Sequence, residues 1–304
     1  MATEKTAKPR ARLNAEKRLL RSATWASLTV AGVLVLLKGF AWLTTGSVAM
    51  LGSLADSALD FVASLGVFYS LRLSHGGASA EYRFGRGKAE AVAAFVQAGL
   101  ITGSALFVLS ESVARALAGA EVQFGGVGVG VAAFALAATL GLVLYQRYVL
   151  SRAYSLAVKA DSMHYMTDLL GNGAVLVALV LSQFGWLWAD PVAGFGIALW
   201  LLWSAWEITR ESMGVLLDRE LSEAERERIA AVAAAPSEVL AVSGLRTRAA
   251  GADKFIELTV EMDSNMRLYR GHAVMALVKS DLQTEFPGAD VVIRLAPYGA
   301  FEGS

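Results

Sequence analysis

The 304-residue chain is 55% hydrophobic and only 18% charged, with a mean hydropathy of +0.49. Soluble domains are roughly 45–50% apolar and roughly 25% charged, so this composition indicates a chain that lies mostly in a membrane. The 27 Lys and Arg residues balance the 27 Asp and Glu residues, and no net positive field favours a nucleic-acid partner. The chain has no cysteine, which excludes disulfides and thiolate metal sites. Any metal ligand must therefore be an oxygen atom or an imidazole.

The chain begins with a basic segment, 1–21, that contains seven Lys and Arg residues. The apolar run that follows, 22–44, is interrupted only by Lys38. At ~1.5 Å per residue it can cross a hydrocarbon layer of ~30 Å, whereas the apolar core of a signal peptide has only ~7–15 residues. We therefore expect a membrane span that is not cleaved. Similar runs predict five further spans, over 48–70, 91–113, 127–148, 162–184 and 191–208.

Along the six predicted spans, segments that are rich in basic residues alternate with loops that carry little charge. The N-terminal segment and the loops after the second and fourth spans are rich in Lys and Arg, whereas the other loops carry little charge. Because Lys and Arg concentrate on the cytoplasmic side, both termini are expected to face the cytoplasm. The short basic N-terminus and the absence of a targeting sequence favour a multi-pass protein of a bacterial inner membrane, in contact with the lipid bilayer.

The composition changes after residue 209, where a polar region begins. A helix is expected from about Ser222 to Ala235, strands over 242–247 and 255–262, a second helix over 268–285, and a last strand over 290–295. About 85 residues enclose only a small core, so this α+β domain is expected to pair with a second copy. The predicted organisation is a basic cytoplasmic segment (1–21), a six-helix transmembrane domain (22–209) and a cytoplasmic domain (210–304).

Two of the predicted spans contain pairs of potential metal ligands. Asp56 and Asp60 are four residues apart in the second span, and His164 and Asp168 are four apart in the fifth. Residues at i and i+4 share one helix face with Cβ atoms ~5–6 Å apart, and an ionised Asp near the bilayer centre costs ~2.5–3.5 kcal/mol. The two helices are antiparallel, and the depths of the two pairs overlap only approximately. A helix tilt, or a start of the fifth helix within 153–160, would bring the pairs level.

If the pairs meet, three carboxylates and one imidazole form a site suited to a tetrahedral divalent ion. The alternative is that the acids pair with basic residues to pack the helices, but Lys38 alone cannot neutralise three aspartates. Lys38 itself is expected to snorkel or to pack in the bundle, and a role in an ion pathway is the lesser alternative. Asn172, one turn after Asp168, is expected either to hydrogen-bond a neighbouring helix or to support a ligand.

Several motifs resemble the cation diffusion facilitator family of divalent metal/proton antiporters, and the resemblance covers essentially the whole chain. The matching stretches are GSVAML (46–51), ADSALD (55–60), FGRGKAE (84–90), ADSMHYMTD (160–168), DP (190–191) and LLDR (216–219). The resemblance implies four metal ligands, which are Asp56, Asp60, His164 and Asp168. It implies a homodimer with a ferredoxin-like cytoplasmic domain. It also implies that Lys88 and Asp218 belong to a charged cluster between the two domains, although both could simply be solvated charges.

The chain departs from the family where relatives bind additional metal ions. In the loop after the second span, many relatives have a histidine where this chain has Arg86, and a guanidinium cannot be deprotonated to bind a metal. His75 lies outside the matching position and is expected to be a solvated loop residue. In the cytoplasmic domain only His272 is retained, the other ligand positions being Ser243, Thr259, Arg294 and Ala296. One histidine does not make a zinc cage, so dimerisation without regulatory zinc is expected there.

These features predict a transporter, not an enzyme, that exports a divalent cation in exchange for protons by alternating access. Protons should enter as the metal leaves, because an empty site crowds several carboxylates together. His164 is the first candidate proton carrier, since imidazole titrates near neutral pH. Zn²⁺ is the first candidate cargo, Cd²⁺ and Fe²⁺ follow, and no prosthetic group is expected. The alternatives are an iron(II)- or manganese-preferring member of the family and a non-transporting membrane metal sensor.

Overall fold

The computed structural model describes residues 2–46, 48–118, 126–183 and 189–299. Within these ranges the side chains of 2–13, 45, 48–49, 115–116, 118, 126–129, 132, 172, 174–183 and 189–191 are not described. The chain divides into two compact units. One unit is Ala15–Met213. The other begins at Gly214, continues to the C-terminus and includes the N-terminal residues up to Asn14.

Six long helices are described before residue 217. They are α1 (Ala2–Thr45), α2 (Val48–Ser74), α3 (Ala89–Ala118), α4 (Gly126–Leu150), α5 (Leu156–Gln183) and α6 (Ala189–Leu216). Within the described residues, five of these helices are long and apolar enough to cross a membrane, namely α1, α2, α3, α4 and α6. The predicted helical membrane protein is therefore confirmed. The remaining predicted span, the fifth in the chain (162–184), coincides with α5, which is a helix of 28 residues.

Three helix boundaries differ most from the expected ones. The basic N-terminal segment is not separate from the first span, because α1 is continuous from Ala2. α5 begins at Leu156, before the expected residue 162, and α6 continues beyond residue 208 to Leu216. The apolar run marks where a helix lies in hydrocarbon, and a helix can continue into water beyond that limit. Hydropathy therefore predicts the position of the membrane span but underestimates the length of the helix.

Small residues allow close approach of the membrane helices. An added Cβ at Gly32 of α1 would lie 3.5 Å from the ring of Phe61 in α2. At Gly194 of α6 the added Cβ would collide with the hydroxyl of Ser112 in α3. Within this bundle, α5 packs chiefly against α3 and α4, and it also contacts α2. Small residues at helix contacts are the usual means by which membrane helices pack closely.

The C-terminal domain has the predicted order α-β-β-α-β. Its elements are α7 (Glu223–Ala233), β1 (Ala241–Ala250), β2 (Asp253–Met262), α8 (Leu268–Glu285) and β3 (Asp290–Pro297). β1 pairs antiparallel with β2 after a turn at Gly251, where φ is +62°, and β2 pairs parallel with β3. Apolar side chains of β2 and α8 form the core, including Ile256, Leu258, Val278 and Leu282. The predicted α+β class is confirmed.

Candidate metal centre

The predicted ligand pairs of α2 and α5 lie close together. Nε2 of His164 is 2.9 Å from Oδ1 of Asp60. Asp60, His164 and Asp168 each offer a ligand atom, and these atoms lie within 4.8 Å of one another. The early start of α5 at Leu156 is one of the two conditions under which the pairs were expected to be level. We call Asp60, His164 and Asp168 the three-ligand cluster.

Asp56, the fourth predicted ligand, lies one turn before Asp60 on α2 and has an exposed side chain. It lines the same cavity as the three-ligand cluster, but among the described residues it is not part of the group whose ligand atoms lie within 4.8 Å. Its role as a ligand therefore stays a prediction.

A cavity of about 650 Å³ adjoins the three-ligand cluster. Its other polar lining residues include Lys38, Ser57, Ser104, Glu111 and Thr139. Lys38 Nζ donates to Ser57 Oγ at 2.7 Å and to the Ser53 carbonyl oxygen at 3.2 Å. Lys38 thus packs in the bundle against α2, which is one of the two roles expected for it. No sequence expectation covered Glu111, although an acid near the end of an apolar span is itself a signal of function.

His164 is buried, with 5% of its surface exposed. Its Nε2 faces Asp60, whereas its Nδ1 has no hydrogen-bond partner among the described residues. In the neutral ring, the hydrogen-bonded Nε2 carries the proton when a carboxylate is its partner. A metal that binds at Nε2 therefore displaces a hydrogen that is shared with Asp60.

A second buried acid, Asp161, lies one turn before His164 and has no exposed surface. Its Oδ2 accepts hydrogen bonds from Ser27 of α1 and from Gln146 of α4, the latter at 2.8 Å. Its Oδ1 accepts from Ser64 of α2 at 3.3 Å and from Gln97 of α3 at 3.2 Å. Asp161 stands in a motif that carried the family resemblance, yet no role was expected for it. The sequence did contain one indication of a role: Asp161 is an acid three residues before His164, so the two residues lie on the same face of the helix.

Lys88 and Asp218, the predicted charged cluster, lie in different units of the structure. Asp218 has a positive φ of 57° and forms an ion pair with Arg248 at 3.1 Å. Lys88 is half-buried in the turn before α3. The pairing of Lys88 with Asp218 stays a prediction. The expectation for Asn172 also stays a prediction, because its side chain lies outside the described residues.

The histidines outside the membrane spans do not form a metal site within the described residues. His75 is half-buried, not solvated as expected. Burial, followed by the nearby charges of Lys17 and Arg21, lowers the pKa of His75 to about 4. His272 is exposed on α8, and no described cluster of three ligand side chains includes it. Arg86 lies over the ring of Tyr82, 4.3 Å from its centroid.

Comparison with known proteins identifies the family. Residues 24–217 match the cation efflux transmembrane domain, and residues 221–298 match the cytoplasmic domain of cation efflux proteins. The cation-efflux pump FieF of Salmonella schwarzengrund (strain CVM19633) is 40% identical over 280 residues, which cover 92% of this chain and 93% of the relative. FieF of Klebsiella pneumoniae subsp. pneumoniae shows the same identity and coverage. A solved structure, the Zn form of CzrB, is 28% identical, covers 27% of this chain and 96% of its own, and superposes with a TM-score of 0.26. The two domain matches and the near full-length relatives show that the chain belongs to the cation efflux family, the cation diffusion facilitators.

Proposed function

We propose that the protein exports a divalent cation across a bacterial inner membrane in exchange for protons, with Zn²⁺ as the first candidate cargo. The observation that carries this proposal is the three-ligand cluster, in which ligand atoms from α2 and α5 lie within 4.8 Å of one another. Relatives that match over 92% of the chain are cation-efflux pumps, which supports transport as the activity.

The ligand chemistry supports a divalent ion of intermediate hardness. Asp60, His164 and Asp168 supply two carboxylates and one imidazole, and Asp56 is the fourth ligand in our proposal. Zn²⁺ accepts nitrogen and oxygen ligands in tetrahedral geometry. Cd²⁺ and Fe²⁺ are the alternatives, because imidazole and carboxylate ligands also suit them.

Proton exchange follows from the contact between Nε2 of His164 and Asp60. When the ring is protonated at both nitrogens and paired with Asp60, Nε2 must lose its hydrogen before it can bind an ion. The other hydrogen stays on Nδ1, so one proton leaves the ring for each ion that binds. An inward proton gradient then drives the metal outward. Access alternates as the helix bundle rocks around the site.

The cavity supports an outward-facing arrangement. Its lining residues on α1 and α2 include Lys38, near the end of α1, and Ser53, near the start of α2. With both termini in the cytoplasm, as we propose, these helix ends lie on the external side. On α5, the hydrogen-bonded Asp161 lies toward the cytoplasmic end relative to His164.

Dimerisation through the C-terminal domain is part of the proposal. The match of residues 221–298 to the cytoplasmic domain of cation efflux proteins supports it, as does the small core of the domain. In the proposed homodimer, Lys88 and Asp218 contribute to the charged cluster between the membrane and cytoplasmic parts.

The test is metal-dependent flux in proteoliposomes that contain a fluorescent metal indicator and a pH dye. Zn²⁺, Cd²⁺, Fe²⁺ and Mn²⁺ are compared for the wild type, Asp60→Ala and Asp281→Ala, which removes an exposed carboxylate of α8. We expect metal to move against protons in the wild type and in Asp281→Ala. In Asp60→Ala, flux should fall to that of protein-free vesicles. A folded, dimeric wild type that moves none of the four ions would contradict transport and favour the metal sensor.

A further inference from the structure

Asp161 is a buried carboxylate that the proposed metal site does not use. It lies on the helix that carries His164 and Asp168, but it is absent from the cavity lining and from the three-ligand cluster. Its two oxygens accept hydrogen bonds from side chains of α1, α2, α3 and α4. A carboxylate so far from water needs a reason to be there, because burial of an ionised group is costly.

Each partner of Asp161 can accept a hydrogen bond as well as donate one. The hydroxyls of Ser27 and Ser64 act in both roles, and the amides of Gln97 and Gln146 exchange donor for acceptor by a half-turn of the amide group. The Oε1 atoms of both glutamines are buried without a hydrogen-bond partner among the described residues, so no described contact fixes either amide in one orientation. The same heavy-atom positions therefore accommodate an ionised or a protonated Asp161.

A chain of hydroxyl groups joins Asp161 to the cavity. Tyr165 lines the cavity beside His164. Its hydroxyl lies 2.7 Å from Ser64 Oγ, which donates to Asp161 Oδ1 at 3.3 Å. Hydroxyl groups in such a chain can pass a proton by donating one hydrogen as they accept another. Because Tyr165 is one of the residues that line the cavity, the chain offers a route between the buried carboxylate and the cavity.

The charged groups around Asp161 belong to the metal centre. Its titratable neighbours on its own helix are His164 and Tyr165, and Asp60 lies on α2 beyond His164. The groups that face it from α1, α3 and α4 are the neutral Ser27, Gln97 and Gln146. A divalent cation bound one helical turn away favours the ionised carboxylate, and its departure favours the protonated one.

We propose that Asp161 is a proton-binding site of the transport cycle, distinct from the metal ligands and reached from the cavity through Tyr165 and Ser64. When a cation binds at the three-ligand cluster, the proton leaves the Asp161 carboxyl and passes along the two hydroxyls to water. When the cation leaves, a proton returns by the same route. This inference rests on the proposed function, since it assigns one of the exchanged protons to a residue.

The experiment counts the protons released per Zn²⁺ bound. Zn²⁺ is titrated calorimetrically into the purified full-length protein in two buffers that differ in ionisation enthalpy. We expect Asp161→Asn, which keeps the size of the side chain, to release about one proton fewer than the wild type. Its Zn²⁺ affinity should stay within about tenfold of the wild type, because the ligands are intact.

Glu90→Gln is the matched control. Glu90 is also a buried carboxylate, and it accepts hydrogen bonds from Ser74 and Ser155, but it does not line the cavity. The control should release as many protons as the wild type. If Asp161→Asn also releases the wild-type number, the proposal is wrong. If the wild type binds no Zn²⁺, or if Asp60→Ala binds it as the wild type does, the proposed function fails as well.

Tyr165→Phe tests the route and does not depend on whether Asp161→Asn folds. The substitution removes only the hydroxyl that contacts Ser64. The proton count at equilibrium should equal that of the wild type. Proton release after rapid mixing with Zn²⁺, followed with a pH dye, should be at least ~10-fold slower. Release at the wild-type rate would overturn the proposed route.

Discussion

At the scale of single residues, one positive charge stands beside the acidic cavity. Lys38 is held by Ser57 and by the Ser53 carbonyl oxygen, in the wall of the cavity that contains Asp56 and Asp60. The ammonium group reduces the net negative charge that a cation meets there. We therefore expect it to lower the affinity of the cavity for a cation, and its charge also reduces the repulsion between the carboxylates.

Lys38→Met tests this role of Lys38. Methionine has a similar length and no charge, so Zn²⁺ should bind ~3- to 10-fold more tightly. Calorimetric titration of the purified variant gives the affinity, and Lys17→Met, a substitution in the basic N-terminal part of α1, is the control. Weaker binding by Lys38→Met would show that the lysine mainly orders the ligands.

Sequence patterns pointed to the candidate ligand residues more readily than to the residues that surround them. The i, i+4 spacing of Asp56 with Asp60, and of His164 with Asp168, was visible because acids and histidine stand out in apolar spans. The partners of Asp161 were not visible, because Ser27, Gln97 and Gln146 belong to three other helices. Only the packing of those helices brings these residues to one carboxylate.

At the scale of elements, α3 and α6 approach each other closely at Gly194. The hydroxyl of Ser112 fills the space where Gly194 lacks a Cβ. On the same helix, an added Cβ at Gly196 would have no neighbour within 4 Å. The two glycines thus have different structural roles although they are two residues apart.

Gly194→Ala should destabilise the membrane domain by about 1–3 kcal/mol, because the new methyl group collides with Ser112. The melting temperature of the detergent-solubilised protein should fall, whereas that of Gly196→Ala should stay at the wild-type value. Adding Ser112→Ala to Gly194→Ala should restore most of the loss, since the hydroxyl is the atom in conflict. Equal destabilisation by both glycine substitutions would contradict this packing.

Hydropathy and residue periodicity predicted which elements are present better than they predicted where the membrane helices begin and end. Helix α8 begins and ends at the predicted residues, Leu268 and Glu285, since its apolar spacing continues over its full length. The start of α5 was placed too late, because Lys159 and Asp161 interrupt the apolar run. In the structure Lys159 forms ion pairs with Glu207 and Glu211 of α6, and Asp161 is buried among hydrogen-bond donors. These contacts make charged residues acceptable within α5. They come from neighbouring helices, so the local sequence does not reveal them.

At the scale of the whole molecule, the absence of cysteine allows the sidedness of the cavity to be measured with single introduced thiols. Ser104 lines the cavity on α3, and Ser151 is exposed in the turn after α4. If both termini lie in the cytoplasm, as we propose, the cavity faces outward and Ser151 faces inward.

Ser104→Cys should react with a membrane-impermeant maleimide added to right-side-out vesicles, and Zn²⁺ should slow the reaction. Ser151→Cys should react only in inverted vesicles. Gel-shift labelling with a polymer-linked maleimide gives both rates. Reaction of Ser104→Cys from the cytoplasmic side alone would reverse the assigned orientation of the cavity.

The hydrogen bonds of Asp161 also define a pivot point about which α5 can tilt. Four other helices bond to α5 at this one level, so rotation of α5 about its own axis would break all four contacts together. A tilt about the same level keeps them. Asp168 lies about 10 Å farther along the axis, and a tilt of about 10° displaces it by about 2 Å. This displacement is comparable to a whole Zn–O bond of ~2.0–2.2 Å, so a small inclination of one helix is enough to make or break the coordination of an ion.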